Sequence, residues 1–246
     1  GLGDVYKRQV LFPNVGKYYG GHFTYNGKAY PMGQHGFARD TEFEQIAAGE
    51  DFVTYRLCAD EESKKKYPFD FIIGSVHNVP FKKDTNGNQL YTDPAAEKLF
   101  ADRTDQEAYR LMMETTLENV KMMDCFQSLG HLDYIVRYGK MREKTYSCAE
   151  YTDVIDEILK QLIEKGKGLE VNAAGLKYGL PFAHPHPDVL RRYRELGGEI
   201  VTIGADAHKP EHIAYDFGKV EELLKACGFK YYTEFSKQKP VFKQLI

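Results

Sequence analysis

The chain has 246 residues, 42% of them hydrophobic, which allows one α/β barrel or two small domains around a sizeable core. A formal charge of −3 offers no basic face for nucleic acid or an anionic membrane. No apolar run approaches ~18 residues and there is no signal-peptide core, so the expectation is a cytoplasmic protein with neither kind of partner. Cys58, Cys125, Cys148 and Cys227 are far apart and form no C-x-x-C pair, as reduced thiols would.

Residues 1–9 read G-L-G-D-V-Y-K-R-Q. Asp4–Gln9 matches the translation of a transposon end used to prepare sequencing libraries, so this segment is expected to be foreign to the fold. Residues 10–69 are dense in Gly and Tyr. His22–Tyr25, Asn26-Gly27 and Lys28–Met32 predict a hairpin with a type I′ turn. Asp51–Leu57 alternates as another strand, and the whole piece reads as all-β.

From Phe71 strands and helices alternate, the pattern of parallel β/α units. Phe71–Val76 is a short apolar strand. Thr104 opens a helix in which Glu107 completes a capping box, with Tyr109, Met112, Met113, Leu117 and Val120 on its apolar face. Leu129–Ile135 carries the next strand end. Thr152–Lys165 is a helix striped by Val154, Ile155, Ile158, Leu159, Leu162 and Ile163 and stopped by Gly166. Then come a strand at Gly168–Asn172, a helix at Pro187–Leu196, a strand at Glu199–Gly204, a helix at Lys219–Cys227 and a strand at Phe229–Thr233.

The apolar strands end in metal-type residues: His77, His131, Glu170, and Asp206 with His208. Strand ends at the mouth of a parallel sheet are where such folds put their chemistry. Zinc, manganese and iron(II) accept imidazole and carboxylate ligands, and the spacing of Asp206 and His208 turns both the same way on a continuing strand. His77 and His131 each read equally as core histidines satisfied by backbone. Asp133 is a prospective partner for His131. Glu170 reads first as a solvated strand-end carboxylate. His184 and His186, in H-P-H-P, could serve as a loop beside the substrate but read first as the entry to a helix through Pro187, and His212 reads as a helix start without a role.

F-D-F-I-I-G-S-V-H, L-G-H-L-D-Y-I-V-R-Y, G-L-E-V-N-A-A-G-L-K-Y-G and T-I-G-A-D-A-H-K-P-E resemble, in order and spacing, the histidinol-phosphate phosphatases of the polymerase-and-histidinol-phosphatase superfamily. The resemblance covers residues 70–246. It implies an α/β fold, a distorted seven-stranded β/α barrel, with up to three divalent ions (Zn, Mn or Fe). It implies His77, His131, Asp206 and His208 as metal ligands, Asp206 and His208 being catalytic, and Glu170 and Asn172 beside the substrate. Lys177 stands where the family commonly has arginine, and Arg137 is a further cationic candidate for phosphate. The implied reaction is hydrolysis of a small-molecule phosphate ester, L-histidinol phosphate, to histidinol and phosphate in histidine biosynthesis.

That family opens with an H-x-H strand followed by another histidine and a glutamate. No H-x-H precedes His77, so the barrel is expected to be incomplete and this chain impaired. Residues 10–69, including G-G-H-F-T-Y-N-G-K-A-Y-P-M-G-Q-H-G-F-A-R-D, are instead similar to the start of aldose 1-epimerases, in which His35 matches a sugar-binding histidine and Arg39 follows in the same motif. Carbohydrate mutarotation is therefore the alternative activity. The two resemblances meet at Tyr67–Phe71, as in a chimera.

Overall fold

The structure is a computed structural model that describes residues 21–25, 27–31, 44–48, 53–56, 69–83, 89–92, 97–144 and 146–246. Residues 1–9, His35 and Arg39 lie outside the described residues. The chain divides into two compact units, Gly1–Pro68 and Phe69–Ile246.

In the first unit, β1 (His22–Tyr25) pairs antiparallel with β2 (Lys28–Pro31), and Gly27 takes a φ of +74° in the turn. That left-handed position is what the Asn-Gly turn predicts. β3 (Glu44–Ala48) pairs antiparallel with β4 (Val53–Arg56) across a bulge.

The second unit is α/β, as expected. Its strands and helices are β5 (Ile73–Gly74), β6 (Val79–Lys83), β7 (Gln89–Thr92), α1 (Asp105–Met122), β8 (Ser128–Leu129), α2 (Thr152–Glu164), β9 (Gly168–Asn172), α3 (Ala174–Lys177), α4 (Pro187–Glu195), β10 (Val201–Gly204), α5 (Phe217–Ala226), β11 (Tyr231–Ser236) and β12 (Lys239–Gln244). Four of the strands form one parallel sheet in the order β10-β9-β8-β5. Among the described residues the sheet thus holds four of the seven strands the barrel reading expects.

Helix ends follow the sequence closely. Thr104 caps α1: its hydroxyl accepts from Glu107 N while Glu107 Oε2 accepts from Thr104 N at 2.8 Å. Gly166, Gly197 and Gly228 all have positive φ after α2, α4 and α5. At each, the next amide reaches back to the last turn, as in Lys167 N to Leu162 O at 2.8 Å, so orphan carbonyls are satisfied. Thr104→Ala is expected to cost about 1 kcal/mol in denaturant unfolding, the usual loss for an N-cap.

Tyr109, Met112 and Met113 of α1 and Ile158, Leu159 and Leu162 of α2 are almost fully buried, together with Leu169, Val171 and Val201 of the central strands. Each such side chain contributes roughly 1.5–3 kcal/mol of burial. That core fixes the register in which the strand ends meet.

Three sequence expectations need correction. The strand expected over Phe71–Val76 pairs only at Ile73 and Gly74, because Phe71 leaves the sheet to stack on Phe235 at 5.0 Å. Leu129–Ile135 leaves the sheet after Leu129, and Tyr134–Tyr138 turns as a 3-10 helix, burying Tyr134, Ile135 and Val136. The hairpin of β6 with β7 was not anticipated, and the strand expected at Phe229–Thr233 runs instead over Tyr231–Ser236 and pairs antiparallel with an unforeseen β12, whose six residues are all exposed. No helix of the described residues is long and apolar enough to cross a membrane.

Candidate metal centre

All four parallel strands deliver their residues to one edge, the carboxyl ends, where open α/β sheets bind ligands. His77 follows β5, His131 follows β8, Glu170 and Asn172 are on β9, and Asp206 follows β10. The rings of His77 and His131 meet edge to face at 5.0 Å, and both rest on Tyr134, at 5.5 and 4.6 Å. His131 is only 5% exposed. Burial, and next the neighbouring His77, push its pKa down to about 3 against the pull of Asp206. The ring is therefore neutral near pH 7, the form that ligates metals.

His131 and Asp206 both have left-handed backbones, φ +22° and +46°, conformations that cost non-glycine residues roughly 1–3 kcal/mol each. Side chains from other elements hold them there. The amide of His131 donates to Glu170 Oε2 at 2.9 Å. Lys177 Nζ, from α3, donates to the carbonyls of Ala205 and Asp206 at 3.1 and 2.9 Å.

Glu170 is not the solvated strand-end carboxylate that its place between Leu169 and Val171 suggests. It is 4% exposed, and Asn172 Nδ2 donates to it at 3.0 Å while Asn172 Oδ1 accepts from Ala174 N. Burial, and then the charge of Asp206, raise its pKa against those hydrogen bonds. Space for it comes from the flanking strand: a Cβ on Gly204 would overlap Glu170 Oε1. Gly204→Ala is therefore expected to displace the carboxylate, break the His131 contact and cost about 1–3 kcal/mol in thermal unfolding. An unchanged midpoint would show that the slot is loose.

Asp206 gathers the polar side of the rim. Its carboxylate lies 3.1 Å from His208 Nε2 and 3.5 Å from Arg137 Nη1. Burial pushes its pKa up, but His131, Arg137, His208 and Lys177 together outweigh that and hold it low. Arg137 is 9% exposed, its guanidinium stacked 4.4 Å from Tyr178 and 4.9 Å from Tyr138. Lys177 is less open to a ligand than the sequence suggests, since two of its three donors hold backbone carbonyls. His208, by contrast, is 77% exposed.

The ligand candidate not read from sequence is His184, which the H-P-H-P motif offers only as part of a loop beside the substrate or a helix entry. Asp133 does not pair with His131, because its carboxylate is turned to the other side. Its Oδ1 meets His184 Nδ1 at 2.7 Å, and its Oδ2 accepts from Tyr146 OH at 2.9 Å and from His186 N at 2.7 Å. Asp133 and His184 are both fully buried. β9 brackets His184 through two backbone bonds with Asn172. His184 Nε2 is buried without a hydrogen-bond partner, and the charges of His131 and Glu170 sense this imidazole. A carboxylate that fixes one ring nitrogen and frees the other is the arrangement of a metal-ligating histidine. The H-P-H-P motif held this signal, but Pro187 at the first position of α4 and His186 as its N-cap explained the motif without it.

The rim therefore gathers His77, His131, Asp206 and His208, and adds His184. Imidazole nitrogens with a carboxylate suit zinc, manganese or iron(II), and the unsatisfied His184 Nε2 is the observation that fits such a group. Among the described residues, no three donors of this set close to within 4.8 Å of one another.

The family model described as the PHP domain matches residues 44–174, just over half of the chain. This chain belongs to the PHP domain family. It is 32% identical over 173 residues to a histidinol-phosphatase of Lactococcus lactis, covering 70% of this chain and 60% of that protein. It is 40% identical over 166 residues to a probable histidinol-phosphatase of Thermotoga maritima, covering 66% and 58%. The chain thus spans about three-fifths of these curated relatives. A crystal structure of the Lactococcus lactis histidinol phosphate phosphatase, complexed with zinc, L-histidinol and phosphate, superposes with a TM-score of 0.57 at 30% identity, over 73% of this chain and 65% of that one. The PHP match starts at residue 44, ahead of both the unit boundary at Pro68 and the junction expected at Tyr67–Phe71.

Proposed function

We propose that this PHP-family chain carries the centre of a metal-dependent phosphomonoesterase for L-histidinol phosphate. The observation that carries the reading is the convergence of His77, His131, His184 and Asp206 on one sheet edge, with Arg137 beside them. The zinc, L-histidinol and phosphate bound by the Lactococcus lactis protein support the same substrate and a zinc-like ion here.

His77, His131, His184, Asp206 and His208 would hold the ions, which would supply Lewis-acid stabilisation of charge on the phosphoryl oxygens. Around them the chain's own groups position the substrate. Arg137, fixed flat among tyrosine rings, offers a planar donor to a phosphate. Lys177 keeps the Asp206 backbone in place. Asp206 orients the exposed His208 ring toward the same ions. Glu170 and Asn172 brace the His131 loop beneath the substrate.

The residues ahead of His77 supply His22 and His35 but no H-x-H pair, so we expect substoichiometric metal and slow turnover from this chain. For the epimerase-like 10–69 segment, the division at Pro68 and Phe69 supports a junction near there, while the PHP match from residue 44 argues for one further upstream. The thiols of Cys148 and Cys227, not joined in a disulfide, suit the reducing cytoplasm.

The test is phosphate release from L-histidinol phosphate with added Mn(II) or Zn(II), set against a simple aryl phosphate and a chelated control. Slow, metal-dependent release that prefers L-histidinol phosphate is expected. Release indifferent to chelation would sink the reading. In Arg137→Ala, kcat/KM should fall about 10–100-fold, the loss of one charge-assisted hydrogen bond.

A further inference from the structure

A second group of metal-type donors lies away from the sheet edge. Cys148 opens the 3-10 turn that leads into α2, His186 is the N-cap of α4, and Asp188 lies in the first turn of α4. One ligand atom from each lies within 4.8 Å of the other two. Zinc bound tetrahedrally holds its ligands roughly 3.4–3.8 Å apart, so closure needs a contraction of ~1 Å in a place where one member is exposed.

The surroundings favour a cation. His186 is wedged edge-on between Phe182 and Tyr146, at 4.6 and 5.9 Å, so its ring is already oriented. Beneath it lies the fully buried Asp133 carboxylate, which accepts from His186 N. The carboxylates of Asp133 and Asp188 both bear on Cys148, whose thiol is pushed up to about 12 by burial first and then by those charges. Two features oppose binding. The positive end of α4 points here, and Arg191 Nη1 pairs with Asp188 Oδ1. Asp188 Oδ2 stays available, 3.5 Å from His186 Nδ1, and the contact from Asp188 N to that nitrogen is long at 3.2 Å. One positive helix end and one shared guanidinium stand against the carboxylates of Asp133 and Asp188, and Cys148, a neutral thiol before the ion arrives, adds its negative charge only as the ion takes the sulfur.

We propose that Cys148, His186 and Asp188 form a second cation site, distinct from the strand-end centre, which takes a zinc-like divalent ion with solvent as the fourth ligand. The mixed S, N and O donors select zinc, cobalt(II) or cadmium over magnesium and calcium. On binding, Cys148 Sγ–H gives its proton to solvent and the sulfur pair goes to the ion; no redox change occurs. The ion staples the turn before α2 to the start of α4, 38 to 40 positions along the chain. Because Asp133 grips both His186 N and His184 Nδ1, that staple also steadies the segment that carries His184. The site does not depend on the phosphatase reading.

The experiment uses the full chain, stripped with chelator and kept reduced with a phosphine, and titrates it with Co(II). The gathered residues of the strand-end centre contain no sulfur donor, so a thiolate-to-cobalt charge-transfer band in the near ultraviolet reports only a cysteine site. The expected result is a band that saturates at one equivalent and disappears in both C148S and H186Q, with the far-ultraviolet dichroism of each variant unchanged. It should persist in C227S, whose thiol faces the carbonyl of Pro187. No band in the parent chain at several-fold excess Co(II), or a band that survives C148S or H186Q, would overturn the proposal. Neither outcome touches the metal-dependent phosphate release by which the strand-end centre is judged.

Discussion

Asp133→Ala is expected to lower the stability of the chain by about 3–5 kcal/mol, the range for removing one side of a buried charged or hydrogen-bonded pair. The side chain is fully buried, and three donors converge on it: His184 Nδ1, Tyr146 OH and His186 N. Burial, helped by Asp133, keeps the Tyr146 hydroxyl well above its ordinary pKa, so it stays a donor. With alanine all three lose their acceptor in a region that water does not reach, and each orphan costs ~1–3 kcal/mol. Asp133→Asn should recover only part of the loss, because its amide nitrogen would face donors. Urea unfolding measures both. Because the ring of His184 would lose its orientation, affinity for Mn(II) or Zn(II) should also fall roughly 10–100-fold. A change in stability under about 1 kcal/mol would mean that the network is not what holds this loop.

The second large effect belongs to Asp206. Among the described residues its carboxylate is the one anion paired with His208 and Arg137, and Lys177 is tied to its backbone. Asp206→Ala removes a proposed ligand and leaves Arg137 and Lys177 without the carboxylate that both interact with. Divalent-ion affinity, read by calorimetry, should drop by more than the roughly 100-fold that marks the loss of an outer partner. Any phosphate release should fall with it. Asp206→Asn is the isosteric control and should behave like the alanine variant, since a neutral amide is a poor ligand for a hard ion. Unchanged metal affinity in both would remove Asp206 from the centre.

Much of this was legible in the residues themselves. The glycines after α2, α4 and α5, the capping box at Thr104 and the Asn-Gly turn each carry a local mechanism, and each sits where that mechanism puts it. The gathering of His77, His131 and Asp206 followed from apolar strands ending in metal-type residues. What could not be read was direction. Asp133 lies two residues from His131, yet the 3-10 turn after β8 swings its carboxylate toward the loop before α4. Glu170 shows no sign in the one-dimensional pattern of being buried, because the space it occupies is left by Gly204 on β10 and Gly130 just past β8. His35, on which the carbohydrate reading depends, lies outside the described residues.

That borrowed space has a practical side. Transplanting this rim onto another sheet by copying its histidines and Asp206 would fail, since Gly204 must stay small to leave room for the buried carboxylate, and a Cβ on Gly130 would run into Ser75 and Ile73. The smallest portable unit therefore includes two residues with no side chain at all, one on β10 and one just past β8.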